Sequence, residues 1–177
     1  MAAIIDSVGA GPAQTPACRL VVRKQKGLAE ILEFVTAGLE IGQQVVVLAG
    51  PTCLKELARG LGDHGLRPES LLHNGRMIFL TAPSCLAQLA KAGDPFQRGP
   101  LQRNGSVLRW VSDWSWAYQT VTDPSAILGY QRLVHDFTRS LTALSVCTVH
   151  CERLERSSLL ALLADHRRAA RTVRQSA

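Results

Sequence analysis

Apolar positions along the chain fall into two alternating rhythms. The run Cys18-Arg-Leu-Val-Val22 reads as a short strand. Leu28, Ile31, Leu32, Val35 and Leu39 then recur at helical spacing, which predicts a helix over 28–39 ending beside Gly38 and Gly42. Val45 to Leu48 is an unbroken β-branched and aliphatic run, the pattern of a strand covered on both faces in a parallel sheet. Gly50-Pro51 closes it. Thr52 is the expected N-cap of a helix through Leu54, Leu57, Ala58 and Leu61, ended by the Gly62 to Gly65 stretch.

The unit then repeats. Met77 to Leu80 reads as a strand and Ser84 to Ala92 as a short helix, while residues 93–105 (GDPFQRGPLQRNG) scatter Gly and Pro among charges and are expected to form an exposed loop. Val107 to Val111 restores a strand. Ser125 to Leu141 carries helical spacing through Ile127, Leu128, Val134, Phe137 and Leu141, and Ala143 to Val149 is a last strand before a closing helix over Leu154 to Leu163. Strands near 18–22, 45–49, 77–81, 107–112 and 143–149, alternating with helices, predict an α/β fold with a mostly parallel central sheet and helices on both faces. Residues 1–15, rich in small residues, Gly and Pro, show no period and are expected to be a flexible leader, with structure beginning near Pro16.

Composition narrows the class. A length of 177 residues suits one domain, and 46% apolar with 19% charged residues is a globular balance far from a disordered one. No apolar run approaches the roughly 20 residues that span a bilayer, and no Lys/Arg-led signal segment opens the chain, so the expected location is the cytoplasm. Cys18, Cys53, Cys85, Cys147 and Cys151 are odd in number and scattered, which suits reduced thiols better than a disulfide framework. The net charge is +6, part of it in Arg167, Arg168, Arg171 and Arg174 of a basic tail over 167–177. Such a tail can attract nucleic acid, but a solvated helix end is the commoner explanation, and no helix-turn-helix or zinc-finger pattern accompanies it.

The order of motifs carries a family likeness. Phe34-Val-Thr-Ala-Gly38-Leu-Glu-Ile-Gly42-Gln-Gln-Val-Val-Val-Leu, a helix, Gly65-Leu66 and Gly75-Arg76-Met-Ile-Phe-Leu together resemble the first half of RecA-like ATPases of the KaiC type. With Leu108-Arg109-Trp-Val-Ser-Asp113-Trp-Ser-Trp116-Ala, Tyr130, Cys147 and His166, the chain looks more specifically like the MEDS family, the methanogen/methylotroph sensory domain, over about residues 16 to 166. That resemblance implies a three-layer RecA-like domain with a degenerate nucleotide site that senses a small molecule. The sequence also departs from the family pattern: Pro16 and Val21 replace a histidine and an aromatic, Gln131 replaces an acidic residue after Tyr130, and Val149-His150 replaces a tyrosine and an aspartate.

Candidate chemistry is sparse. A phosphate cradle needs G-x-x-x-x-G-K-[ST], whose backbone N–H groups, lysine and hydroxyl hold the phosphates and magnesium. The place that the resemblance assigns to it, residues 21–28, reads Val-Val-Arg-Lys-Gln-Lys-Gly-Leu, with Val for the first Gly, Gly27 for the Lys and Leu28 for the hydroxyl. The stretch after the Val45–Leu48 strand, Ala49-Gly50-Pro51-Thr52, offers no carboxylate to polarise water. Asp113 stands where a magnesium-binding aspartate would, although capping a turn or pairing with Arg109 explains it more simply. Cys147, His150 and Cys151 do not make a zinc site, because strand alternation turns His150 away from the two thiols and no C-x-x-C pair exists. The five histidines have no nucleophile motif beside them.

Trp114 and Trp116 are the most telling residues, in a chain with 5% aromatics, because they follow a strand at the sheet end where ligands bind in open α/β folds. Their indoles suit an apolar or aromatic ligand, and equally a core or a protein interface. The candidate ligand site is therefore Arg109, Asp113, Trp114 and Trp116, with Tyr130 added by the family likeness. No catalytic residue, cofactor or metal is expected. The leading expectation is a stand-alone sensory or regulatory domain that takes a small molecule or a regulatory protein partner, with a homodimer as one assembly and no membrane contact. Two alternatives remain open: a residual nucleotide-binding protein, and a nucleic-acid-associated regulator using the basic tail.

Overall fold

The computed structural model describes residues 3–5, 18–23, 28–82, 84, 107–117, 124–139, 141, 143–150, 157, 160, 161 and 164. These form β1 (Ala3–Ile5), β2 (Cys18–Arg23), α1 (Ala29–Glu40), β3 (Val45–Ala49), α2 (Pro51–Asp63), α3 (Pro68–His73), β4 (Met77–Thr81), β5 (Leu108–Asp113), α4 (Pro124–Arg139) and β6 (Ala143–His150). The sheet order is β1-β2-β6-β5-β3-β4, parallel throughout except for β1, which pairs antiparallel with β2 at one edge. All five strands expected from the sequence are present, in an α/β, three-layer arrangement.

Strand β3 is an interior strand, between β5 and the edge strand β4, and is buried along its whole length, as its uninterrupted apolar run requires. On what we term the front face, Val45, Val47, Ala49 and Val111 pack against Ile31, Val35 and Leu39 of α1 and Cys53, Leu54, Leu57 and Leu61 of α2. On the back face, Val46, Leu48, Leu108, Trp110 and Trp114 pack against Ile127 and Val134 of α4. Burying the apolar side chains of both layers is the main stabilising term, at about 25 cal/mol per Å² removed from water.

Helix α1 ends where Gly42 takes a positive φ of 79°, and the Gly42 and Gln43 amides donate to the Leu39 and Gly38 carbonyls at 3.2 and 2.9 Å. Inside the same helix, Gly38 is required for a different reason. A Cβ there would lie 2.4 Å from Arg109 Cδ and 2.8 Å from Nε. Arg109 cannot simply swing aside: its Nε donates to Gln43 Oε1 at 2.6 Å, its Nη1 to the Phe34 carbonyl at 2.7 Å, and its guanidinium sits 4.7 Å from the Phe34 ring centroid. Arg76 adds a second tie, donating to the Leu39 carbonyl at the end of α1.

Three features differ from expectation. Residues 3–5 fall in the stretch expected to lack structure, yet Ala3, Ile4 and Ile5 register with Val22, Val21 and Leu20. Three residues carry too little pattern to reveal a strand whose only support is its neighbour. Helix α2 starts at Pro51 with Gly50 as N-cap, not with Thr52, because proline lacks the N–H that the first helical turn leaves unpaired. Helix α3 is six residues long and was not expected, since it is shorter than two turns and only Pro68 and Leu71 are buried. The expected loop at 93–105 and the basic tail lie outside the described residues, as do nearly all of the helices expected at 84–92 and 154–163; of these, Ser84, Ser157, Leu160 and Ala161 are described and helical.

Gly38→Ala is expected to destabilise the protein by about 1–3 kcal/mol through the clash with Arg109. In an Arg109→Ala background the same change should be neutral or stabilising, since alanine is the better helix former by about 1 kcal/mol. Chemical denaturation of the four proteins in this double-mutant cycle checks it.

Candidate functional site at the carboxyl end of the sheet

Two neighbouring strands, β3 and β5, send the chain to opposite faces: β3 leads into α2 on the front and β5 leads towards α4 on the back. Divergence of this kind opens a crevice at the carboxyl end of a parallel sheet, the place where open α/β folds bind ligands. Gly50 forms the β3 side of the crevice and the turn 114–117 the β5 side, closed by an Ala117 amide to Trp114 carbonyl bond of 3.0 Å. The two sides touch. A Cβ on Gly50 would lie 2.9 Å from Trp116 Cβ and 3.3 Å from Cγ, so the half-buried Trp116 lies directly on the glycine backbone.

Asp113, the last residue of β5, is only 3% exposed. One of its carboxylate oxygens, Oδ1, accepts from Ser115 Oγ at 2.8 Å and from Thr148 Oγ1 at 2.8 Å. Thr148 is opposite Asp113 because β5 and β6 pair in register, and the Trp114 amide continues that ladder to the Thr148 carbonyl at 2.9 Å. The buried carboxylate thus anchors the turn that carries both tryptophans, as a turn-capping role would have it. It does not pair with Arg109.

Arg109 and Asp113 share the front face of β5 but sit four residues apart, about 13 Å along the strand. Arg109 is committed to α1 and the turn after it, at the amino end of the sheet, and burial lowers its pKa from the ordinary arginine value. The structure therefore gathers Asp113, Trp114 and Trp116 at one end of β5 and leaves Arg109 at the other. Tyr130 is half-buried against the back layer, the layer that also holds Trp114 and packs against Trp116.

That layer contains buried polar atoms without partners. Trp114 is 2% exposed and Gln131 6%, and neither the Trp114 Nε1–H nor either amide atom of Gln131 has a hydrogen-bond partner. Each such group costs about 1–3 kcal/mol when left unpaired away from water. Trp110, by contrast, donates its Nε1–H to Ser112 Oγ at 2.7 Å. In the sequence Gln131 stands out only as a departure from the pattern that the resemblance implies. Its position between Ile127 and Val134, at i+4 and i−3 on one helical stripe, is the signal that a polar side chain faces the core. Thr148 and Gly50 had no comparable signal, because strand register and crossover geometry bring them to the site.

Among the described residues, no group of three His, Cys, Asp or Glu side chains could hold a metal ion. Cys147 is half-buried and packed against the back layer, and Cys151 lies outside the described residues. Of the residues at the expected phosphate cradle, 21–23 belong to β2, 24–27 lie outside the described residues, and Leu28 packs against the front core. No described helix is long and apolar enough to cross a membrane.

A three-layer arrangement around a mostly parallel sheet, with two tryptophans at the sheet's carboxyl end, places the chain in the broad class of open α/β folds. Residues 17–167 match the MEDS family, described as the MEthanogen/methylotroph, DcmR Sensory domain, and the chain is a member of that family. No curated protein matches the chain significantly.

Thr148→Val is expected to cost about 1.5–3 kcal/mol, because it removes a hydroxyl donor from a buried carboxylate, whereas Thr148→Ser should cost less. Urea denaturation midpoints of the two variants check it.

Proposed function

We propose that this sensory domain binds a small organic molecule in the crevice beside Trp114 and Trp116, does not hydrolyse ATP, and passes its signal on through contacts with another protein. One observation carries the reading: α2 and α4 cover opposite faces of the sheet after adjacent strands, and the turn at the carboxyl end of β5, which carries Trp114 and Trp116, is held by the buried Asp113–Ser115–Thr148 cluster. Membership of a sensory family supports it. In the same reading the domain acts in the cytoplasm as part of a regulatory pathway, with transcription as one output and self-association as one mode of contact.

The descent of the fold from KaiC-type ATPases belongs to this proposal too. Residues 21–28 lack the lysine, the hydroxyl and the first glycine of a phosphate cradle, so an incoming triphosphate would meet neither the charge nor the magnesium ligand it needs. Asp113 is also unsuited to magnesium, since one carboxylate oxygen already serves two hydroxyl groups inside the protein. A nucleotide-binding role therefore has less support than a sensory one.

Purified protein is expected to release no phosphate from ATP above background with magnesium present, and a robust rate abolished by Lys26→Ala would refute this. For the site itself, intrinsic tryptophan fluorescence is titrated with three probes of similar size: toluene, benzamide and benzoate. At least one should give a saturable change in the wild type that Trp116→Ala weakens about tenfold, while the variant loses less than the about 3–5 kcal/mol expected for truncating a fully buried tryptophan. If none of the three binds, the crevice is not a small-molecule site.

A further inference from the structure

We propose that the ligand held in the back layer, between α4 and the carboxyl end of β5, is an uncharged molecule with a carbonyl or amide group on an apolar body, bonded by the Gln131 carboxamide and the Trp114 indole N–H. The inference rests on the sensory reading above and specifies the chemistry of its ligand. Both side chains are more than nine-tenths buried and have unpaired polar atoms. Buried polar groups in folded proteins are nearly always bonded, so orphans facing the same layer point to something that completes them.

The two groups come to the same level of the sheet. Helix α4 joins parallel neighbours β5 and β6 and so runs back along them, and the ring of Phe137 meets that of Trp110 at 5.8 Å. Gln131 precedes Phe137 by six residues, about 9 Å closer to the carboxyl end of the sheet. On β5, Ser112 and Trp114 lie about 7 and 13 Å beyond Trp110 in that direction. Gln131 therefore falls between them, with Tyr130 beside it and Ile127 and Val134 on either side along the helix.

The surroundings fix the character of the ligand. The buried side chains described in this layer carry no charge: Val46, Leu48, Trp110, Trp114, Ile127 and Val134 are apolar, Ser112 is a neutral hydroxyl already bonded to Trp110, and the two charged residues of β5, Arg109 and Asp113, lie on the opposite face. A charged ligand would have no counter-ion there and would lose its hydration. A hydrocarbon would leave the carboxamide and the indole N–H as unpaired as before. A ligand carbonyl accepts from the indole or the Gln131 NH2, and an amide N–H on the same ligand donates to the Gln131 carbonyl, so both orphans are completed by one neutral group.

The test uses the 15N-labelled protein, in which the three tryptophan indole N–H resonances are assigned by single Trp→Phe changes. Benzamide should shift the Trp114 resonance downfield and saturate at least tenfold below toluene and benzoate. Gln131→Leu, similar in volume but apolar, should weaken benzamide about tenfold and abolish its advantage over toluene. Benzamide that leaves the Trp114 resonance unmoved, or that binds Gln131→Leu as tightly as the wild type, overturns the proposal. A Trp116-dependent response to toluene or benzoate without preference for benzamide also overturns it, and in that case the sensory site itself stands.

Discussion

Strands β3 and β5 lie side by side in the interior of a sheet that is covered on both faces, and nearly every other feature answers to that burial. Backbone groups of a central parallel pair are satisfied by their neighbours, so their side chains can be apolar in both directions, as Val45 to Ala49 are without exception. The layers that cover them must be helices delivered by crossover connections. Because α1 and α2 are delivered to one face and α4 to the other, the chain parts between β3 and β5 at their carboxyl ends. The candidate site is thus a consequence of how the core is covered.

Polar residues occupy the two ends of β5, and each end does a different job. At the amino end, Arg109 spreads over Gly38 and ties α1 to the sheet through Phe34 and Gln43. This contact depends on a helix residue with no side chain, which makes the pairing of Gly38 with Arg109 a packing device. At the carboxyl end, Asp113 collects hydroxyl donors from its own turn and from β6. A carboxylate so held fixes the position of the turn, and through it the indoles of Trp114 and Trp116. An aspartate at this place is thereby explained without any metal or nucleotide.

The back layer departs from the rule that a core either excludes polar groups or satisfies them. Trp110 obeys it through Ser112, while Trp114 and Gln131, in the same layer, do not. Such exceptions are expected where folding stability has been exchanged for binding, since unpaired groups in a dry setting bond more strongly to a ligand than they would in water. Membership of a sensory family is in keeping with the proposal that a ligand completes them.

The sequence by itself determined the strand and helix rhythm, the burial of β3 on both faces, the stripe on α1 and the placing of two tryptophans at a strand's carboxyl end. Those properties repeat with periods of 2 or 3.6 residues and can be read locally. It also showed that residues 21–28 do not spell a phosphate-cradle motif, a reading that needs only residue identities at fixed spacing. Tertiary structure decided the rest. Pairing of Ala3–Ile5 with β2, the register that sets Thr148 against Asp113 and the contact of Gly50 with Trp116 all depend on which strands become neighbours and where each crossover lands. Arg109 and Asp113 are close in the chain, and in a helix four residues apart they would have met. In a strand the same spacing carries them to opposite ends of the sheet, because extended backbone rises more than twice as far per residue.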